Sequence, residues 1–205
     1  PAATPEGEAK ILAAYRAWVI KHYDKMQVLG MPAAMPLQQI FTDVYLLDRP
    51  TALKRFSREE LEQEFQQLGR LRSHDEKGRV AGLTLAQQPG NLFILGKPGA
   101  GKTTFSKYLA VQTAKQTLFP DYIPVFVSLK ELSDAAEPLV AFVQEQLVAG
   151  GVPQEVAADW LTQKKLLLLL DGLDEATARR EGIIQNIKQF GRRYDQCKLV
   201  LTCRI

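Results

Sequence analysis

The sequence lacks the features that mark an extracellular or membrane-spanning chain. It has only two cysteines, Cys197 and Cys203, too few for a disulfide framework or a zinc site. No apolar run exceeds five residues, whereas a membrane helix needs about 18. Residues 1–10 are polar and contain no signal peptide. These absences predict a cytoplasmic protein with no membrane partner.

The sequence also lacks an excess of charge of one sign. It has 26 Lys and Arg residues against 23 Asp and Glu residues, so charge gives no argument for a nucleic-acid partner. Hydrophobic residues make up 46%, enough for a real core, which excludes wholesale disorder. A length of 205 residues allows one domain, or one domain with a small appendage. Because the chain begins with Pro1 rather than Met, we expect a processed or excised piece of a longer protein.

Residues 1–88 predict a mainly helical N-terminal segment. Apolar residues recur at helical spacing after a polar start, and a Ser-x-x-Glu capping pattern precedes a second helical stretch. The predicted elements are a flexible lead at 1–9, a helix from Lys10 to near Gly30, a short strand at Ile40–Leu47 and a helix from Ser57 to Leu71.

Residues 89–205 predict an α/β domain. Short apolar runs alternate there with amphipathic stretches, which is typical of a parallel sheet covered by helices on both faces. The predicted strands are Asn91–Leu95, Pro124–Leu129, Leu166–Leu170 and Lys198–Thr202. The predicted helices are Thr103–Leu118, Leu139–Val148, one with Pro153 in its first turn, and one that carries Ile183 to Tyr194.

The strongest motif is a glycine-rich loop that fits G-x-x-x-x-G-K-[ST] at every fixed position. It lies between a predicted strand and a predicted helix, where backbone N–H groups and the helix dipole can bind phosphate oxygens. We expect Lys102 to bind the β- and γ-phosphates, and the Thr103 hydroxyl to bind Mg²⁺. The residues predicted to bind nucleotide are Gly96, Lys97, Pro98, Gly99, Ala100, Gly101, Lys102, Thr103 and Thr104.

Acidic residues follow the predicted strand of five leucines. Asp171 stands directly after Leu170, where an unpaired charge would be costly to bury. Because ligands bind at the carboxyl ends of the strands in such sheets, Asp171 and Thr103 are predicted to share one Mg²⁺. Asp174 and Glu175 have two alternative roles: they orient the attacking water, or they cap the N-terminus of the next helix.

Four segments, in this order, resemble the NACHT NTPases of the signal-transducing STAND class. The segments are GKPGAGKTT, VFVSLKELSD, LLLLLDGLDEA and KLVLTCR. The resemblance covers about residues 91–205 and implies a P-loop NTPase of bacterial type, with a three-layer α/β/α fold, that stops after the strand of the γ-phosphate sensor. It implies Thr202 and Arg204 as that sensor, although Arg204 taken alone is equally consistent with a solvated arginine at a strand end. It also implies that residues near Thr42–Leu46 lie by the adenine.

The same resemblance implies slow, Mg²⁺-dependent hydrolysis of ATP or GTP, as a switch in signalling or defence that controls homo-oligomerisation. The absence of an N-K-x-D guanine-binding motif favours ATP. The residues predicted to be catalytic are Lys102, Asp174, Glu175 and Arg204. Two alternatives stay open: an AAA+-like DNA-handling ATPase, and a scaffold that binds nucleotide without cleaving it. The arginine pairs at 179–180 and 192–193 would serve the first alternative, but such pairs on a helix are more often solvated surface.

Overall fold

A computed structural model describes residues 4–26, 33–40, 45–47, 79–176 and 179–204. The helices are α1 (Pro5–Tyr23), α2 (Leu37–Ile40), α3 (Gly82–Gln87), α4 (Lys102–Ala114), α5 (Leu129–Ala135), α6 (Leu139–Ala149), α7 (Gln154–Gln163) and α8 (Arg180–Arg193). The strands are β1 (Lys25–Met26), β2 (Met35–Pro36), β3 (Tyr45–Leu47), β4 (Arg79–Ala81), β5 (Leu92–Gly96), β6 (Tyr122–Ser128), β7 (Lys165–Asp171) and β8 (Lys198–Arg204).

The central sheet is parallel, with the strand order β5–β8–β7–β6. Helix α4 packs against this sheet, and α6 packs against β6, α7 and α8. The predicted three-layer α/β/α fold is therefore confirmed. Gly96 pairs with Arg204, and Ser128 pairs with Asp171, so the strands end together. Because parallel strands share one direction, their carboxyl ends bring distant parts of the sequence to the same edge of the sheet.

The strand of five leucines lies inside the core. Each residue of Leu166–Leu170 is 0% exposed. A strand that is buried on both faces has no polar alternation, which is why the sequence pattern here is a continuous apolar run. Burial of each leucine contributes about 1.5–3 kcal/mol relative to an exposed one, so this strand anchors the acidic residues that follow it.

Helix α1 packs onto the α/β core. The predicted flexible lead at 1–9 is wrong from Pro5 onward, because the Thr4 hydroxyl accepts a hydrogen bond from the Gly7 N–H at 3.3 Å and caps a helix that begins with proline. The helix ends at Tyr23 rather than near Gly30. Its buried Tyr15 donates a hydrogen bond of 2.8 Å to the carbonyl oxygen of Pro124 in β6. This contact joins the N-terminal segment to the edge strand of the sheet.

Other predicted boundaries differ by a few residues. The predicted strand at Ile40–Leu47 is replaced by a helix that ends at Ile40 and a strand over Tyr45–Leu47. The predicted helix from Ser57 to Leu71 lies outside the described residues. Helix α5 was not predicted, although the Ser128 hydroxyl accepts a hydrogen bond from the Glu131 N–H at 3.3 Å, the signature of an N-terminal cap.

In the part of the chain that the structure describes, no helix is both long enough and apolar enough to cross a membrane. The division of the chain at residue 88 stays a prediction.

Candidate functional site

The glycine-rich loop connects β5 to α4. Gly99 and Gly101 have φ angles of 75° and 80°, in the left-handed region that favours glycine. Gly101 is also the residue that immediately precedes α4, and the Phe105 N–H donates to its carbonyl at 2.8 Å. The loop therefore ends at the N-terminus of a 13-residue helix, where free N–H groups attract anions.

The Lys102 ammonium is hydrogen-bonded to the first two residues of this loop. Its Nζ donates hydrogen bonds to the carbonyl oxygens of Gly96 at 2.7 Å and Lys97 at 3.0 Å. An ammonium has three donors, so these two bonds leave one for a further acceptor. The loop thus holds a cation beside its own N–H groups, which is the electrostatic arrangement that a polyphosphate requires.

The Asp171 carboxylate lies beside the loop, at the end of β7. Its Oδ2 accepts a hydrogen bond from the Thr103 hydroxyl at 2.7 Å, and its Oδ1 accepts one from the Thr202 hydroxyl at 2.6 Å. Thr103 belongs to α4, Asp171 to β7 and Thr202 to β8, so three elements meet at one carboxylate. A hydroxyl and a carboxylate are the hard oxygen ligands that Mg²⁺ accepts, and Mg²⁺ commonly binds through one or two carboxylates plus water and phosphate. This donor set fits the predicted ion.

Arg204 forms ion pairs with Asp174 and Glu175, the two other acidic residues predicted for the site. Its Nε lies 3.1 Å from Asp174 Oδ2, and its Nη2 lies 2.6 Å from Glu175 Oε1. Its backbone N–H also donates to Asp174 Oδ1 at 2.7 Å. The Arg204 side chain is 49% exposed, so these ion pairs are open to water and to competing anions. Arg204 therefore lies at an exposed strand end with two carboxylate partners, and its role as a γ-phosphate sensor stays a prediction.

The alternative role of Asp174 and Glu175 as helix caps is wrong. The next helix, α8, begins at Arg180, and Arg179 stands at its N-cap position without a capping side-chain hydrogen bond. Both carboxylates face Arg204 instead.

One cleft is lined by almost all of the residues that the motifs and the family resemblance predicted for the site. It has a volume of ≈ 230 Å³ and is lined by Pro98, Gly99, Ala100, Gly101, Lys102, Thr103, Thr104, Asp171, Gly172, Asp174, Glu175, Thr202 and Arg204. The two predicted residues outside this lining, Gly96 and Lys97, contribute the carbonyl oxygens that hold Lys102. The roles of the individual residues stay predictions.

Gly172 also lines the cleft, although the sequence predicted no site role for it. Its N–H donates to the Thr202 hydroxyl at 3.0 Å, and its φ of 81° lets the chain turn away after β7. Its signal in the sequence was its place in LLLLLDGLDEA, a segment that carries the family resemblance, directly after Asp171. The predicted adenine segment near Thr42–Leu46 lies mostly outside the described residues, and side chains there are not described.

A larger hollow of ≈ 550 Å³ lies between α5 and the start of α8. It is lined by Leu132, Ala136, Glu137, Pro138, Arg179, Gly182, Ile183 and Asn186. It contains none of the predicted site residues, so the smaller cleft is the better candidate because it combines the glycine loop, a lysine and the acidic strand end.

The parallel sheet, the glycine loop that opens α4 and the acidic end of β7 together define a nucleotide-binding P-loop NTPase. Comparison with known families is consistent with this class: residues 91–204 match the NACHT domain. Because this match covers more than half of the chain, the protein belongs to the NACHT domain family.

Comparison with curated proteins finds no match. Sixteen chains of solved structures match, among them one described as "Structure of Drosophila ORC bound to DNA". The identity is 19% and the TM-score 0.41, with 98% of this chain and 52% of that chain covered. This chain therefore spans about half the length of the chain that it matches.

Proposed function

We propose that this chain binds a nucleoside triphosphate together with Mg²⁺ and hydrolyses it slowly, with ATP as the preferred nucleotide. The observation that carries the proposal is the 2.7 Å hydrogen bond between the Thr103 hydroxyl and Asp171 Oδ2. Because of this bond, the first turn of α4 and the acidic end of β7 are close enough to contact the same cation. Membership of the NACHT family supports the same chemistry.

The phosphate groups would lie along the loop. The N–H groups at the start of α4 and the third donor of Lys102 would neutralise charge on the β- and γ-phosphate oxygens. Thr103 and Asp171 would hold Mg²⁺, which when bound supplies charge neutralisation and in-line orientation of the phosphates. Positioning and charge neutralisation carry most of the catalysis in phosphoryl transfer, so few further groups are needed.

Asp174 and Glu175 are the groups that would position the attacking water. Asp174 is the first choice, and Glu175 is the second. Both are engaged by Arg204 at 3.1 Å and 2.6 Å. A γ-phosphate is a stronger competitor for a guanidinium than an exposed carboxylate, because it offers several charged oxygens in a bidentate geometry. Arg204 would then report the γ-phosphate and release a carboxylate for the water.

The biological role that we propose is a switch in signalling or defence, in which the bound nucleotide controls homo-oligomerisation. Family membership supports this role. Slow turnover suits a switch, since each nucleotide state must last long enough to be read. The alternative of a DNA-handling ATPase predicts that DNA stimulates turnover and that salt abolishes the stimulation.

The test is nucleotide affinity, measured with a fluorescent ATP analogue in Mg²⁺ and in EDTA. Lys102→Ala should weaken binding roughly 10–150-fold, because a hydrogen bond to a charged group contributes about 1.5–3 kcal/mol. Asp171→Ala should remove the effect of Mg²⁺. Lys130→Ala is the matched control, because Lys130 is an exposed lysine on α5, outside the cleft.

Unchanged Mg²⁺–nucleotide affinity in both site variants would refute the proposed site. Light scattering of the wild-type protein with ADP and with a non-hydrolysable ATP analogue tests the switch. An identical mass in the two states would contradict control of oligomerisation by this chain.

A further inference from the structure

The Thr202 hydroxyl is buried where β8 meets the turn that follows β7. Thr202 lies in β8 and is 0% exposed. Its Oγ1 donates to Asp171 Oδ1 at 2.6 Å and accepts from the Gly172 N–H at 3.0 Å. Its backbone oxygen accepts from the Leu173 N–H at 3.0 Å. Thr202 therefore holds the turn that follows β7 through three hydrogen bonds.

The single hydroxyl proton of Thr202 is already used. An ionised carboxylate only accepts hydrogen bonds, so the proton between Thr202 and Asp171 must come from the threonine. The Gly172 N–H takes one of the two lone pairs of the same oxygen. No donor of this side chain is left for a phosphate oxygen while the bond to Asp171 persists.

This bond decides which way the Asp171 carboxylate faces. The final torsion of an aspartate side chain is broad and about two-fold, so a carboxylate without partners samples many orientations. With Oδ1 bound to Thr202, Oδ2 is turned toward the Thr103 hydroxyl at 2.7 Å. Oδ2, the oxygen beside the loop, is therefore the one that would bind a cation.

We propose that Thr202 is a positioning residue that orients Asp171 for the divalent cation, and that it acts without touching the γ-phosphate. This inference rests on the proposed function, because it concerns the same Mg²⁺ site. It gives Thr202 a role different from that of Arg204, which lies at the exposed end of the same strand. Removing a residue that hydrogen-bonds to a metal ligand typically weakens metal binding 10–100-fold.

The experiment is a Mg²⁺ titration of fluorescent nucleotide binding, carried out with a diphosphate and with a non-hydrolysable triphosphate. Thr202→Val removes the hydroxyl at nearly constant volume, and Thr202→Ser keeps it. Thr113→Val is the matched control, since Thr113 is a buried threonine of α4 whose Oγ1 has no hydrogen-bond partner in the described part of the chain. Thermal unfolding of each variant reports whether it is folded at the assay temperature.

We expect Thr202→Val to raise the Mg²⁺ concentration at half-effect about 10–100-fold, equally for diphosphate and triphosphate. Affinity in EDTA should stay at the wild-type value, and Thr202→Ser and Thr113→Val should titrate like the wild type. If Thr202→Val does not fold, Thr202→Cys replaces it. A thiol is a weaker donor, so its Mg²⁺ midpoint should lie between that of the wild type and the value expected for the valine variant.

Three results would overturn the inference. One is a wild-type Mg²⁺ midpoint in Thr202→Val, or in Thr202→Cys if that variant is used. Another is a loss confined to the triphosphate, which would indicate a direct contact with the γ-phosphate. The third is an equal loss in Thr202→Ser, which would show that shape rather than the hydroxyl matters. A wild-type protein whose nucleotide binding ignores Mg²⁺ would instead refute the proposed function itself.

Discussion

The hydrogen bond between Tyr15 and Pro124 allows a quantitative test of how α1 is attached to the sheet. Tyr15 is 2% exposed, and its hydroxyl lies 2.8 Å from the carbonyl oxygen of Pro124, which is also buried. Tyr15→Phe keeps the ring and removes only the donor. The Pro124 oxygen then loses a buried partner, which costs about 1–3 kcal/mol. For a chain of this length, a loss of about 2 kcal/mol lowers Tm by roughly 4–8 °C.

Thr113→Val supplies the comparison for this measurement. Its hydroxyl is also buried, but it has no hydrogen-bond partner among the described residues. Its removal should therefore leave the free energy of unfolding unchanged or slightly increased. Chemical denaturation measures both variants against the wild type. Equal losses in the two variants would refute the reasoning, because they would show that the bond to Pro124 contributes nothing beyond burial. Nucleotide affinity should be unchanged in Tyr15→Phe, since Tyr15 does not line the cleft.

Two further predictions concern the attachment of α1. Gly150→Ala should destabilise the fold by about 1–3 kcal/mol, because an added Cβ would lie 2.5 Å from the Tyr15 ring. Gly182→Ala is its control: nothing lies within 4 Å of the added Cβ, so thermal unfolding should show no loss or a gain of about 0.5–1 kcal/mol. The second prediction concerns pH. The hydrogen bond from Lys164 lowers the pKa of the Glu8 carboxyl from its ordinary 4.5. The stability that Glu8 contributes is therefore present above pH 4.5 and is lost as the pH falls through the lowered pKa. Unfolding free energies measured across this acidic range should fall less steeply in Glu8→Gln, and identical slopes would contradict the role of this ion pair.

Local patterns predicted most of the α/β core. The five leucines before Asp171 indicated a strand buried on both faces, and the structure buries all five. The loop pattern identified the start of α4 to within one residue, because glycine spacing and helix initiation are local properties of the chain. The resemblance to a known family was needed to single out Thr202 and Arg204.

Contacts between distant parts of the sequence could not be predicted in the same way. The hydrogen bond of Tyr15 spans 109 positions, and nothing in its helical spacing indicates a carbonyl partner. The bond from Thr202 to Asp171 depends on the register of β7 against β8, which only the folded sheet establishes. Helix α5 was missed for a different reason: it has only seven residues, too few for a clear apolar period.

The side chains of the cleft carry one more negative charge than positive. Lys102 and Arg204 are the cations, and Asp171, Asp174 and Glu175 are the anions. A bare triphosphate approaching this mouth would add several negative charges to a site that already has an excess of them. A complex of triphosphate with a divalent ion arrives with much of that repulsion cancelled. We therefore expect the bare triphosphate to bind more weakly and to enter the cleft more slowly than its complex with the ion.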